Sequence, residues 1–363
     1  MVQGEFDLWM LRPAEEVLER HVADRTTPGA VGLAVRREGV VGRWAVGQHT
    51  YEKESTPVRV DDLYDLASLT KVVVTTTLCM IMEAAGDLDL DDSVLKWLPE
   101  FRGGSKHKVI VRHLLAHCSG LPAHIPFFES CGSMAEVQRQ VLATDLSYEP
   151  GEDTVYSDLG FLLLGMIVVS CGGEALDHLA QRLVFDPVGM RETGYLPRSE
   201  LLPRIPPTEV NAEHRGGLIH GVVHDGNAAA MGGIAPHAGL FGKAQDLGRF
   251  LQVMLCEGRW GTEQIFPADG IGLYTRRAGL VDGSTRALGW DTVSVEGSSA
   301  GRHFSTRGYG HTGFTGTTLW ADPEQDLGIV LLTNRVHPTR TDDGIKVLRP
   351  EFHDAVAEAV LGL

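Results

Sequence analysis

Basic residues are scarce in this sequence. It has 32 Lys and Arg against 48 Asp and Glu, a formal net charge of −16 over 363 residues. A polyphosphate partner needs clustered Lys and Arg, and the densest basic stretch, Ser105-Lys106-His107-Lys108, gives way at once to apolar residues. Nucleic acid is therefore excluded, and an anionic membrane surface would be repelled by the same field. Cysteine is scarce too. Cys79, Cys118, Cys131, Cys171 and Cys256 are odd in number, scattered and never spaced as Cys-x-x-Cys. That speaks against a disulfide framework or a thiolate metal site and suits a reducing compartment. Long hydrophobic runs are missing as well. The longest, residues 159–171, has 13 residues against the roughly 20 that cross a bilayer, so it reads as a core helix and no membrane span is expected. The first residues carry Glu5 and no basic segment followed by an apolar one, so no secretory leader is visible and the expected location is cytoplasmic.

What is present is a globular composition, 43% hydrophobic and 22% charged, long enough for two to three domains or subdomains. No repeat or Pro/Ser-rich linker divides the chain, so a second region is expected as an insertion. Residues 29–47, with a turn at Glu38-Gly39, read as a β-hairpin; residues 317–321 and 327–333, around a turn at 322–326, read as another. A helix is predicted from about Pro350 to Val360. Residues 14–23 form a polar amphipathic stretch, and further helices are predicted over residues 69–85, 159–170 and 246–256, ending near Gly86, Gly172 and Gly258. Strands at both ends with helices between them predict one sheet assembled from the two termini. Residues 204–242, too long for an idle loop, are expected to pack over a site.

Ser68-Leu69-Thr70-Lys71 places a hydroxyl and an amine one helical turn apart. A serine is a poor nucleophile until a base takes its proton, and a lysine can be that base only if its proton affinity falls toward neutrality. Ser93 to Lys96 and Ser105 to Lys108 have the same spacing, so environment must decide. Lys71 is the only charged residue between Asp65 and Glu83, so its ammonium must be buried, paired or neutralised. Ser68 opens that helix, where free N–H groups can stabilise an oxyanion. Ser93 follows four aspartates and reads as a helix cap, and Ser105 as part of a loop. A plain cap at Ser68, with Lys71 reaching solvent, is the rival reading of the first string.

Two further motifs weigh against that rival. Tyr156-Ser157-Asp158 is the only Tyr-x-Asp/Asn and heads an apolar helix; a phenol there could share a proton with the lysine or protonate a leaving group. His311-Thr312-Gly313 is the only His- or Lys-Thr-Gly. A Gly-rich edge strand there would let substrate approach the backbone, with the Phe314 N–H as a second oxyanion donor.

In this order, with 88 and 155 residues between the motifs, the chain resembles the serine β-lactamase and penicillin-binding-protein superfamily. The likeness is to its class C-like branch, which also holds family VIII carboxylesterases and D-amino-acid peptidases. His117-Cys118-Ser119-Gly120-Leu121-Pro122 and residues 232–241 are similar to stretches of that branch. The resemblance implies an α+β fold: a mainly antiparallel sheet from both termini flanked by helices (residues 1–75 and 235–363), beside a mainly helical region (residues 76–234), with one cleft between. It implies that Ser68 is the acylated nucleophile, activated by Lys71 and Tyr156, with the Ser68 and Phe314 N–H groups as the oxyanion hole. Asp158, His311, Thr312, Gly313 and Phe314 would contact substrate. No cofactor or metal is implied.

Two departures shape the expected substrate. Asp158 stands where the β-lactamases usually carry Asn, which adds a negative charge that favours the Lys71 ammonium. His311 replaces a Lys that helps hold a substrate carboxylate, and a neutral imidazole attracts an anion less. The expected activity is a serine hydrolase of small-molecule esters, with weak β-lactam hydrolysis. A β-lactamase or D-amino-acid peptidase is the alternative, and a non-catalytic penicillin-binding-like protein a further one. A lysine base implies that the rate falls below about pH 6.5. Other signals are weaker. Gly297-Ser298-Ser299-Ala300-Gly301 matches a nucleophile elbow but lacks a following helix. His113/His117 and His220/His224 have helical ligand spacing without the Glu of a zinc protease. Cys118 reads as a small buried residue.

Overall fold

The computed structural model describes residues 11–363; the first ten, on which the reading of the N-terminus rests, lie outside the described residues. Helix α1 (Arg12–Ala23) leads into β1 (Gly29–Arg36) and β2 (Gly39–Gly47). After a short strand β3 (Tyr64–Asp65) come α2 (Thr77–Ala85), α3 (Asp158–Gly172) and β4 (Gly194–Tyr195). Then follow β5 (Leu240–Gly242), α4 (Ala244–Leu255), β6 (Asp291–Thr292), β7 (Tyr309–Thr312), β8 (Thr318–Asp322), β9 (Leu327–Thr333) and α5 (Ile345–Leu361). The main sheet runs β6-β7-β8-β9-β1-β2, and every neighbouring pair is antiparallel. The two termini thus share one sheet, with Leu33 opposite Val330 and Val31 opposite Leu332, in an α+β fold.

Period-two alternation explains the layering. Ala30 and Ala34 of β1 and Leu327, Ile329 and Leu331 of β9 pack with Trp44, Leu348 and Phe352 under α1 and α5. The residues between them, Val31, Leu33, Val35, Val330 and Leu332, join Leu247, Phe250 and Leu251 of α4 in the larger core that continues into the helical region. Helix α3 is buried almost all round, including Leu159, Leu163 and Ile167, which is why its sequence is apolar without a polar face. Among the described residues no single helix is long and apolar enough to cross a membrane.

Two local expectations need correction. The C-terminal helix starts at Ile345, not near Pro350. Proline is favoured at a helix start, but here buried Ile345 and Leu348 anchor the first turn, and the ladder bond that Pro350 cannot make is given up. β7 is also not the edge strand. The two-residue β6 pairs with Tyr309 and Gly310 only, so His311 and Thr312 still lie beyond that cover.

One close approach ties the fold to the cleft. A Cβ on Gly165 of α3 would lie 2.4 Å from Cγ of Pro236, and the carbonyl of Pro236 accepts from the Thr75 hydroxyl at 2.7 Å. Helix α3 therefore seats the segment that carries His237. Gly165→Ala should lower the unfolding free energy by about 1–3 kcal/mol through overpacking against a rigid ring, read as an earlier midpoint in urea; an unchanged midpoint would contradict this seating.

Candidate active site

The segment between β3 and α2 makes the turn that presents Ser68. Lys71 N–H bonds the Ser68 carbonyl at 3.0 Å, a tight i to i+3 turn that puts both side chains on one side. From Lys71 to Thr76 the helix then widens into a π-helical stretch along the β-branched run Val72-Val73-Val74-Thr75-Thr76, a form that recurs at functional sites. Lys71 is fully buried, and its Nζ lies 3.0 Å from Ser68 Oγ, 3.1 Å from the His237 carbonyl and 2.8 Å from Asp158 Oδ1. Three donors of one ammonium thus meet three acceptors. Burial pushes the Lys71 proton affinity down, but the Asp158 carboxylate, helped by Tyr156, outweighs it and leaves the amine pushed up to about 12.

Asp158 occupies the first turn of α3, whose cap is Ser157: its Oγ accepts from Gly160 N–H at 3.3 Å. The carboxylate therefore sits at the positive end of a helix, with Lys71 on one oxygen and His124 Nδ1 3.3 Å from the other. Burial alone would raise its proton affinity; Lys71 and His124 reverse this and hold it far below the usual carboxylate range. In return the hydrogen bond to Asp158 raises the His124 imidazole above its ordinary value.

Tyr156 projects from the residues just before α3, with its ring 4.6 Å from that of His117 and 5.7 Å from that of His311. Lys71 Nζ and the Arg286 guanidinium carbon lie 5.0 and 5.2 Å from its centre. Its hydroxyl is buried with no hydrogen-bond partner among the described residues. His117 takes a left-handed backbone, φ 57°, and its Nδ1 accepts from the Ser157 N–H at 3.1 Å, which leaves the hydrogen on Nε2. His311 is the mirror case: Nδ1 is 2.8 Å from the Thr312 carbonyl, an acceptor only, so the lone pair lies on buried, unpartnered Nε2. Burial, with Lys71 and Arg286 nearby, pushes both imidazoles well below their ordinary value. His311 is neutral.

After β7 the chain turns through residues 313–316 and docks on the segment that carries Ser68. Thr315 Oγ1 donates to the Asp65 carbonyl at 2.7 Å and Thr317 Oγ1 to the Leu66 carbonyl at 3.1 Å. Gly313 is required here, because a Cβ would lie 2.1 Å from Thr317 Oγ1 and 2.8 Å from the Leu66 carbonyl. From α5, Arg349 Nη2 reaches the carbonyls of Gly313 and Thr317 at 2.6 and 3.1 Å. Neither the Ser68 nor the Phe314 N–H is taken by a backbone acceptor among the described residues, so both are free to face a substrate oxygen.

A cavity of about 700 Å³ joins these parts. Ser68, Tyr156, Asp158, His311, Thr312, Gly313 and Phe314 all line it, while Lys71 lies buried behind Ser68. The long segment 204–242 roofs it with Asn211, His214, Arg215, His224, Asp225 and His237. The rival strings go elsewhere. Ser93 caps a four-residue helix whose Lys96 pairs with Asp92, and Ser105 and Lys108 both bind Glu149. Residues 297–301 lie in the β6–β7 connection, where the Ser299 carbonyl accepts from His353. His220 bonds the carbonyls of Leu202 and Ile205, whereas His224 bonds Glu209. Burial pushes the Cys118 thiol up to about 11, which suits a packing residue.

Several lining residues escaped the sequence reading: His124, Arg286, Arg335, Arg349 and, just behind Ser68, Asp65. Asp65 stood three residues before the serine, but nothing in a linear string shows a buried carboxylate; it is 2% exposed and pushed up to about 6, chiefly by burial and then by Asp225, against the pull of its two N–H donors. Lys71 at about 12 cannot produce a loss of rate near pH 6.5. The raised amine and depressed carboxylate of the Lys71–Asp158 pair stabilise the fold from above the ordinary carboxylate range to below the ordinary lysine range, about pH 5 to 10. Within that window the pair is silent.

A family model described as Beta-lactamase matches residues 14–351. N-acetylmuramyl-L-alanine amidase of Bacillus subtilis is 32% identical over 369 residues, 92% of this chain and 83% of that protein. An Escherichia coli protein provisionally named a D-alanyl-D-alanine carboxypeptidase is 32% identical over 311 residues, 77% and 70% of the two chains. Among solved structures, EstCE1, a hydrolase with promiscuous acyltransferase activity, superposes with a TM-score of 0.76 at 22% identity, over 96% of this chain and 98% of that one. A class C β-lactamase from Rhodobacter sphaeroides gives 0.74 at 18% identity, over 96% and 99%. At these identities the structural matches speak for the fold.

Asp158→Asn should leave Lys71 buried without a counter-charge. Removing one member of a buried pair costs about 3–5 kcal/mol of stability unless the survivor loses its charge. An ionisation of Lys71 should therefore enter the rate profile between about pH 7 and 10, where the wild-type lysine stays charged. A variant with the wild-type profile and melting midpoint would contradict the pairing.

Proposed function

This chain belongs to the beta-lactamase family, and from that premise we propose that it is a serine hydrolase working through an acyl-enzyme on Ser68. The observation that carries the reading is Lys71 Nζ 3.0 Å from Ser68 Oγ, on the wall of a cavity that Tyr156 shares. A substrate carbonyl enters with its oxygen toward the Ser68 and Phe314 N–H groups, and Oγ attacks. Lys71 already carries a proton, so it holds Oγ by a donated hydrogen bond and stabilises negative charge on it as the O–H bond breaks. Tyr156 Oη receives the serine proton while giving its own to the leaving group. Water then enters, loses its proton along the same path, and releases the acid and Ser68.

The favoured substrates are small esters. Their leaving groups demand little protonation, and a neutral His311 offers no fixed cation for a β-lactam carboxylate, so lactam turnover should be weak. A second reading, an amide or peptide ending in a carboxylate, has its own support. Arg286 stands against Tyr156, and the buried guanidiniums of Arg335 and Arg349 bond backbone carbonyls instead of carboxylates. Charge-assisted bonds to a substrate carboxylate would use such groups. The relatives named as an amidase and a D-alanyl-D-alanine carboxypeptidase point the same way.

The test is a panel of p-nitrophenyl acetate and butyrate, nitrocefin, and D-alanyl peptides with free and amidated C-termini. Ser68→Ala should lower kcat/KM on every turned-over substrate by more than about 10³-fold. An alanine variant that keeps the rate would remove Ser68 as nucleophile. A preference for the free over the amidated peptide, exceeding the rates on esters, would select the second reading.

A further inference from the structure

We propose that Asp65 is the positioning residue of this site: its one carboxylate fixes both the turn that presents Ser68 and the segment that roofs the cavity. The inference rests on Ser68 as the nucleophile. Asp65 Oδ1 accepts the Ala67 N–H at 2.9 Å and Oδ2 accepts the His224 N–H at 2.7 Å. Ala67, the residue before Ser68, has φ 46°, a left-handed conformation that a residue with a Cβ rarely adopts without outside support. The Oδ1 bond supplies that support at the strained residue itself.

The second bond extends the control. The His224 ring binds Glu209, which Arg340 also grips, and stacks 5.7 Å from the ring of Phe314. The backbone carbonyl of Asp65 accepts from Thr315 on the turn after β7. Both N–H groups assigned to the oxyanion hole, on Ser68 and Phe314, are therefore registered against the same residue. A carboxylate can accept from two N–H groups, one per oxygen. The amide of Asn can accept from one, and its NH2 then faces the other donor.

This placement gives the acid side of the rate profile an origin that the Lys71–Asp158 pair cannot supply. The roof segment brings Asp225, which raises the Asp65 proton affinity, Arg215, which lowers it, and His224 with its Glu209 partner. The turn after β7 presents only the uncharged Thr315 hydroxyl. On β3 itself, burial keeps the Tyr64 phenol neutral. With the carboxyl pushed up to about 6, the doubly accepting form is lost just below neutrality. Stability runs the other way: a carboxyl raised above its unfolded value of about 3.9 stabilises the fold at low pH and loses that contribution as pH rises through about 6. Activity and stability at this residue should move in opposite directions with pH, which a purely structural contact would not produce.

The experiment compares kcat, KM and melting midpoint from about pH 4.5 to 9 for the wild type, Asp65→Asn, the double variant Asp65→Asn/Ala67→Gly, and Ser68→Ala. Asp65→Asn should lose at least about tenfold in kcat with little change in KM, and its profile should lack the ionisation near pH 6. From about pH 7 to 5 the wild-type midpoint should gain on that of Asp65→Asn while the wild-type rate falls. Glycine takes a positive φ freely, so adding Ala67→Gly should restore part of kcat. Wild-type kcat in Asp65→Asn, an ionisation near pH 6 that survives in it, or no recovery in the double variant would overturn the proposal. If Asp65→Asn fails to fold, fluorophosphonate labelling of the wild type and of His124→Gln decides: both rates should fall with an ionisation near pH 6, and a rate flat from about pH 5 to 8 in either would overturn the proposal. An active Ser68→Ala would instead refute the choice of nucleophile.

Discussion

The arrangement depends on one buried ion pair. Lys71 is wholly enclosed and survives as an ammonium because Asp158, on the first turn of a neighbouring helix, lies 2.8 Å away. Two charges taken out of water stabilise a fold only when the remaining donors and acceptors are also met. Here they are, with Ser68 Oγ and the His237 carbonyl completing the lysine and His124 the carboxylate. The pair therefore draws three separate parts of the chain to one point: the turn that carries Ser68, the head of α3, and the segment seated on Gly165. The site is assembled by the same contacts that satisfy the charge.

That arrangement alters the division of labour that the sequence suggests. In the proposed mechanism a lysine held as an ammonium would orient the serine and stabilise charge on its oxygen, and proton transfer would pass to Tyr156, whose hydroxyl has no hydrogen-bond partner among the described residues. The net charge of −16 also acquires a local counterpoint. Arg286, Arg335 and Arg349 line the cavity, together with Asp158, Asp225, Asp291 and Asp343, and Arg286 lies 3.8 Å from Asp291, so the cavity carries both signs of charge beneath an acidic exterior.

The legible and illegible parts divide on physical lines. Both hairpins and the helices ending near Gly86 and Gly172 were readable because alternation, apolar runs and glycine stops are local signals. Ser68 and Lys71 were readable because a single charge in an uncharged stretch demands an explanation, and Asp158 because its sign bears on that charge. Asp65, His124 and Arg349 were not. Each has a partner at least 34 positions away, as in Asp65 with His224 or Arg349 with Gly313, which no periodicity records, and the local bond of Asp65 to the Ala67 N–H depends on a left-handed turn that the string does not show. The start of α5 was misplaced because proline punctuation is a tendency that buried Ile345 and Leu348 override.

The claim on which all of this turns is that Ser68 becomes covalently acylated. Acid quenching within milliseconds of mixing with a p-nitrophenyl ester, followed by intact-mass and peptide mass spectrometry, tests it directly. One acyl group per chain is expected, on the peptide that contains Ser68, forming with the nitrophenol burst and disappearing at the steady-state rate. An ester turned over with no adduct, or with the acyl group on another residue, would contradict it.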